Sequence, residues 1–235
     1  MKKGMALFLS SVILAGCGYR LYGGPLRPLD EAYQGPNVQV ADDGTVTHVL
    51  GRLEISLRPM TDEELNHQFA SASNRGKFST NPYTYGNWKP MGAKRTPNRF
   101  TVFRLTVKNY AYPKVFVDPG KMLMVAENGR RYRSLSLEDL REYYYPFALA
   151  YAGNAYSQFE ERMDILKRTL YFPNPVFSGQ KREGYVVFPP LDDDVRRVTV
   201  YVKDVGLKFD AWGRPIEKVD LKFRFERELF KEKSF

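Results

Sequence analysis

"VDLKFRFE", residues 219–226, decides the fold class. Val219, Leu221, Phe223 and Phe225 alternate with Asp220, Lys222, Arg224 and Glu226. Successive side chains of an extended chain point to opposite faces, so a period of two gathers the apolar groups on one side and the charges on the other. A helix would scatter both sets around its axis. The signature recurs. Leu53, Ile55 and Leu57 alternate with Glu54, Ser56 and Arg58, and Phe103, Leu105 and Val107 with Arg104, Thr106 and Lys108. Val198, Val200 and Val202 alternate with Arg197, Thr199, Tyr201 and Lys203. Shorter candidates are "VFV" at 115–117, "MLMVA" at 122–126 and "YVVF" at 185–188. Turn residues separate them in "DPG" (118–120), "ENGR" (127–130) and "AWGRP" (211–215). Six to eight half-buried strands with one wet face predict a mainly β protein, an antiparallel β-sandwich.

Two stretches break toward helix. "PMTDEELNHQF" (59–69) has Thr61 followed three residues later by Glu64, the capping-box spacing. "SLEDLREYYYPFALAY" (136–151) opens with Ser136 and Asp139, and Pro146 is expected to end or kink that helix. A second helix follows at about 155–170, where Phe159, Met163, Leu166 and Leu170 form a stripe. A helical insertion over 136–170 therefore interrupts the strand order.

The 235 residues are 43% apolar and 14% aromatic, enough for a real core, and carry a net charge of +9. That balance favours anionic partners. Lys2 and Lys3 followed by the apolar run "GMALFLSSVIL" (4–14) read as a secretory signal, because about eleven residues fall well short of the roughly 20 that span a bilayer. Leu14, Ala15 and Gly16 then lead to Cys17, the single cysteine of the chain. Here the chain resembles bacterial lipoproteins, whose signals end in a lipobox of the form Leu-[Ala/Ser]-[Gly/Ala]-Cys. The resemblance implies cleavage after residue 16, diacylation of the Cys17 sulfur, usually acylation of the new amino terminus, and attachment to the bacterial cell envelope. Gly18 stands where an Asp would signal retention, which in a diderm host implies the outer membrane. Without Lys2 and Lys3 the remainder has 34 bases against 27 acids, a net of +7, and no cysteine left for a disulfide. Residues 17–44, with Gly18, Gly23, Gly24, Pro25, Pro28, Gly35, Pro36 and Gly44, read as a lipidated Gly/Pro-rich tether, and 45–235 as the domain.

The run "FTVFRLTVKNYAYPKVFVDPGKMLMVAENGRRYRSLS" (100–136) and the later "GQKREGYVVFPP" (179–190) carry Asn109, Pro113, Gly129, Tyr132, Gly184 and Phe188. In this order they resemble the immunoglobulin-like domains found on many bacterial lipoproteins of unassigned function. The resemblance covers about 99–135 and 180–227 and implies an immunoglobulin-like sandwich.

Catalytic constellations are sparse. His48 and His67 are the only histidines, neither lies in a catalytic or zinc motif, and no G-x-S-x-G occurs. "DDD" at 192–194 lacks the alternation of a calcium loop and reads as a solvated turn. No metal or cofactor is expected. The unusual feature is electrostatic: from Leu65 to Val117 there is no acid but nine bases. Within 74–99, which reads as a long loop, Arg75, Lys77, Lys89, Lys94, Arg95 and Arg99 mix with Tyr83, Tyr85 and Trp88. Arg75, Lys77, Trp88, Lys89, Lys94, Arg95 and Arg99 are the candidate contacts for an anionic partner. The lipobox removes nucleic acid from consideration. An envelope protein or an anionic envelope surface remains, with a non-enzymatic binding or structural role, as an accessory subunit of an envelope complex for example. The alternative is a hydrolase of envelope polymers, drawing carboxylates from Glu138, Asp139, Glu142, Glu160 and Glu161 of the helical insertion.

Overall fold

The computed structural model of the chain describes residues 19–93, 95–150 and 155–233. The signal segment, Leu14, Ala15, Gly16, Cys17 and Lys94 lie outside these. In chain order the elements are β1 (Tyr19–Gly23), β2 (Arg27–Pro28), α1 (Glu31–Gln34), β3 (Val38–Val40), β4 (Val46–Leu50), β5 (Leu53–Met60), α2 (Asp62–Gln68), α3 (Ala70–Ser73), β6 (Thr101–Asn109), β7 (Lys114–Val115), β8 (Leu123–Ala126), β9 (Arg131–Arg133), α4 (Leu137–Ala150), α5 (Ala155–Thr169), β10 (Val176–Phe177), β11 (Gln180–Phe188), β12 (Arg197–Phe209), β13 (Pro215–Glu226) and β14 (Leu229–Lys233). The protein is mainly β. One five-stranded sheet runs β11-β6-β5-β4-β3 and the other β2-β13-β12-β8-β9, with antiparallel pairing throughout.

The alternation read at 219–226 is what joins the two sheets. Leu221, Phe223 and Phe225 of β13 are buried against Ile55, Leu57, Phe103 and Leu105 from the opposite sheet. The Phe103 and Phe225 rings lie 5.1 Å apart, and His48 of β4 donates from Nε2 to the Lys222 carbonyl of β13 at 2.9 Å. On β12 the parity changes part-way. Val198, Val200 and Val202 face the core, then Asp204 takes a left-handed φ of 55° and the register shifts, so that Val205 and Leu207 face it instead. The bulge keeps the core face apolar over thirteen residues of strand.

The stretch expected to be a tether does not behave as one within its described part. Residues 19–23 pair in full with β14, residues 27–28 extend the edge of β13, and residues 38–40 form the outer strand beside β4. Gln34 is buried, donating from Nε2 to the carbonyls of Leu29 (2.9 Å) and Arg224 (2.7 Å) and accepting from the Arg224 N–H at 2.9 Å. Glycine and proline limit each piece to a few residues, but composition says nothing about the sheet edges waiting elsewhere for backbone partners. An added Cβ on Gly23 would stand 2.1 Å from the Arg227 guanidinium and displace it from the Val195 and Asp192 carbonyls to which it donates.

The helical insertion sits where the chain passes from β9, on the edge of one sheet, to β11, on the edge of the other, so it interrupts no hairpin. Its Leu140, Tyr144, Phe159, Met163 and Leu166 pack with Val102, Tyr185 and Val187 in a second core on the outer face of β6 and β11. These two strands are thus buried on both sides at one end, around Val102, Tyr185 and Val187. Pro146, expected to end or kink the helix, does not end it: α4 runs through. Proline removes one helical hydrogen bond, the one to the carbonyl of residue 142, and both Pro146 and Glu142 are exposed, where solvent can take its place. Among the described residues no helix is long and apolar enough to cross a membrane.

Candidate functional site

Residues 74–99 contain little regular structure, yet they are not a loose loop. Ser73, Ser79, Thr80, Asn81 and Thr84 are all buried polar residues. Asn81 Nδ2 donates to Ser73 Oγ at 2.9 Å, its Oδ1 accepts from the Tyr83 N–H at 2.9 Å, and Thr84 Oγ1 accepts from the Gly86 N–H at 3.0 Å. Asn66 of α2 donates to the Gly86 carbonyl at 3.3 Å. Side-chain amides and hydroxyls here satisfy the backbone groups that a ladder would otherwise pair. Tyr83 is fully buried in the middle, its hydroxyl 2.5 Å from Thr169 Oγ1 on α5. The segment is thereby pinned against the helical insertion, and Arg75 adds an ion pair to Glu161 at 2.8 Å.

A cleft of about 710 Å³ opens between the two. Phe78, Tyr85 and Trp88 line it from the segment, Tyr143 and Phe147 from α4, and Lys77, Arg99 and Arg162 bring positive charge. Arg99 lies with its guanidinium carbon 4.0 Å from the Tyr85 ring centroid and 5.5 Å from that of Tyr144. Its Nη1 donates to Tyr144 Oη at 3.0 Å and to the Asn81 carbonyl at 3.3 Å. Arg162 approaches the same Tyr144 ring at 5.2 Å and donates from Nη2 to the Ser79 carbonyl at 2.7 Å. The Nε atoms of both are buried and meet no acceptor, and among the described residues neither guanidinium lies within ion-pair distance of a carboxylate. Burial pulls the Arg162 guanidinium below its ordinary value, with the Arg99 charge adding to the effect. Burial, then Tyr85 and Tyr144, push the Tyr143 phenol up to about 12, and burial raises Tyr144 as well. Burial also opposes the Arg99 charge, but Tyr144, Tyr143 and Tyr85 together hold its guanidinium above the ordinary value. The site therefore sets two cations with no carboxylate in contact among neutral aromatic faces, an arrangement that can receive an anion joined to a flat or ring-shaped body.

The candidates from the sequence separate. Lys77, Trp88 and Arg99 line the cleft, and Arg75 braces it. Lys89 is exposed outside it, while Arg95 stacks on Tyr22 of β1 at 3.2 Å and donates to that phenol. Lys94 lies outside the described residues. Arg162 and Phe147 carry no site signal in the sequence: the helical stripe is defined by its apolar members, and Arg162 sits beside Met163 on the flank of that stripe. Of the "YYY" run, Tyr144 is buried, donating to the Pro82 carbonyl at 2.7 Å, whereas Tyr143 and Tyr145 are partly exposed.

The acids of the insertion take other places. Asp139 and Glu142 line an adjoining pocket of about 460 Å³ behind Tyr85 and Tyr143. Asp139 completes the cap of α4, accepting from the Ser136 hydroxyl (2.6 Å) and N–H (2.7 Å), which hold it below the ordinary carboxylate range. Glu138 pairs with Arg141 at 3.6 Å and Glu161 with Arg75, while Glu160 is exposed. The acids at 192–194 are exposed at a turn, as expected, and Arg130 pairs there with Asp192 (3.1 Å) and Asp194 (2.5 Å) while Tyr132 donates to Asp192 at 2.6 Å. No group of metal-ligating side chains occurs among the described residues.

No protein-family model matches the chain, and no curated protein does. Among solved structures it is similar to the crystal structure of the yjhA protein from Bacillus subtilis, with 11% identity and a TM-score of 0.37 over 75% of this chain and 93% of that one. A likeness of that size carries no argument about fold or function.

Proposed function

We propose that the protein is a lipid-anchored bacterial envelope protein, most simply of the outer membrane, whose immunoglobulin-like β-sandwich presents a non-enzymatic binding site for an anionic envelope partner. The cleft between residues 74–99 and the helical insertion is that site. One observation carries the reading: Arg99 and Arg162 are held partly desolvated, without an acid in contact, against the ring of the neutral Tyr144. Their contacts are aromatic rings, a phenol and backbone carbonyls, and an incoming anion adds the opposite charge that none of these supplies. The paired sheets and their shared core support the sandwich, and the lipobox supports the anchor. Only residue 18 separates Cys17 from β1, so a lipidated Cys17 lies at most about 7 Å along the chain from the folded body. On this reading the domain sits on the membrane rather than at the end of a leash. Its two or three acyl chains hold it stably where one would not.

Two measurements test this. Mass spectrometry of the mature amino terminus should find acylated Cys17; an intact Met1 or a bare thiol refutes the anchor. Retention of an anionic envelope polymer, lipid vesicle or acidic protein by the wild type should be lost in the Arg99→Gln/Arg162→Gln variant. Retention unchanged by that variant refutes the site.

A further inference from the structure

We infer that the ligand of the cleft is an acidic saccharide, one or two hexose rings bearing a carboxylate. This rests on the cleft being the anion site proposed above and names what enters it. Three features narrow the chemistry. The volume of about 710 Å³ suits a body of one or two rings and is far too small for a folded partner. The guanidiniums lie inside a concave site, whereas a bilayer offers its charges in a plane; a ring-bearing chain end reaches them more readily. The walls are aromatic faces rather than aliphatic pockets. Tyr85 and Trp88 are half-buried with ring centroids 5.7 Å apart, and Tyr143 and Phe147 face the cleft from α4 at 6.0 Å. Such faces pack against the C–H side of a sugar ring, burying apolar area while leaving its hydroxyls free.

The polar groups fit the same body. A carboxylate can accept from the guanidinium N–H groups of Arg99 and Arg162 that the protein uses only in part: Nη1 of one and Nη2 of the other are engaged. The Tyr143 phenol, neutral until about pH 12, and the Gln158 amide line the cleft and can exchange hydrogen bonds with ring hydroxyls. Lys77 is exposed at the same cleft and extends the positive field outward.

Trp88 makes the test direct. The chain has two tryptophans, and Trp212 stands 81% exposed on the β12–β13 hairpin. In a Trp212→Phe background, Trp88 is the sole indole reporter. Titration of the full-length protein with a uronic acid disaccharide should change Trp88 emission saturably, and a neutral disaccharide should not. Arg162→Gln should weaken the response at least ten-fold, the loss expected for one charge-assisted contact. Phe147→Ala, at an exposed wall position, should weaken it without altering thermal stability. Equal response to neutral and acidic sugars overturns the inference, as does response to benzoate but not to the uronate. Binding of anionic vesicles or inorganic phosphate that depends on Arg162, with no uronate response, overturns the saccharide while leaving the anion site standing. Absence of any Arg162-dependent binding overturns both.

Discussion

Replacing Asp62 by Asn isolates a charge that the fold carries at a cost. Asp62 is the first residue of α2, partly buried, and lines a pocket of about 350 Å³ with Thr61, Arg95 and Arg227. Burial raises its carboxyl from 3.8 to about 6, against the opposing pull of Arg99. A folded-state value above the unfolded one means that the native protein holds its proton more tightly. Ionisation then costs stability, beginning as pH rises past 3.8 and complete above about 6. The difference corresponds to about 3 kcal/mol at neutral pH, each pH unit being worth 1.36 kcal/mol. The favourable field at a helix start offsets up to about 1 kcal/mol, leaving about 2. Asn has the same shape and no charge. Asp62→Asn should therefore raise stability by about 2 kcal/mol at pH 8, or about 4–8 °C in midpoint for a chain of this size, and by less than about 0.5 kcal/mol at pH 4. Thermal unfolding of both proteins between pH 4 and 8 measures it. A variant equally stabilised at both ends, or destabilised at pH 8, would refute the reasoning that burial of charge governs this site.

Burial lowers the pKa of His48, and Arg224 adds to the effect, while the Lys222 carbonyl opposes it. Its contribution runs the other way from that of Asp62: stability is kept above about pH 6.5 and lost as pH falls through the lowered folded value. The difference between wild type and His48→Gln should therefore shrink in mild acid, and a flat difference from pH 8 to 5 would contradict it. Asn109 is fully buried and donates to the carbonyls of Tyr112 (2.8 Å) and Val176 (2.9 Å) while accepting from the N–H groups of Ala111 and Tyr112. Asn109→Ala should cost about 3 kcal/mol in urea unfolding, because partners inside the fold are left unpaired; a cost under about 1 would mean water replaces them. An added Cβ on Gly184 would lie 2.6 Å from the Tyr171 backbone, which has no flexible end to move. Gly184→Ala should destabilise by about 2 kcal/mol, with a neutral result excluding that close approach.

What the sequence determined by itself is local and periodic. The alternation at 53–58, 103–108, 198–203 and 219–226 fixed which residues face a core, since burial follows directly from a period of two. Thr61 with Glu64, and Ser136 with Asp139, announced their caps because a capping box is closed within four residues, and both form. The stripe was legible for the same reason: Phe159, Met163 and Leu166 on α5, and Leu170 just beyond it, are buried.

What only tertiary structure decided depends on partners far along the chain. The Gly/Pro-rich run after residue 18 becomes strands because β14, β13 and β4 leave edges free for it, a fact no window of composition contains. Residues 74–99 look like a loop because their ladder is replaced by buried amides and hydroxyls contributed partly from α2 and α3. The site is divided in the same manner. Arg99 stood out through the absence of acids around it, but Arg162 lies 63 positions later among ordinary helix residues. Only packing of α4 and α5 onto the segment sets the two guanidiniums about one tyrosine ring and turns a run of charge into a cleft.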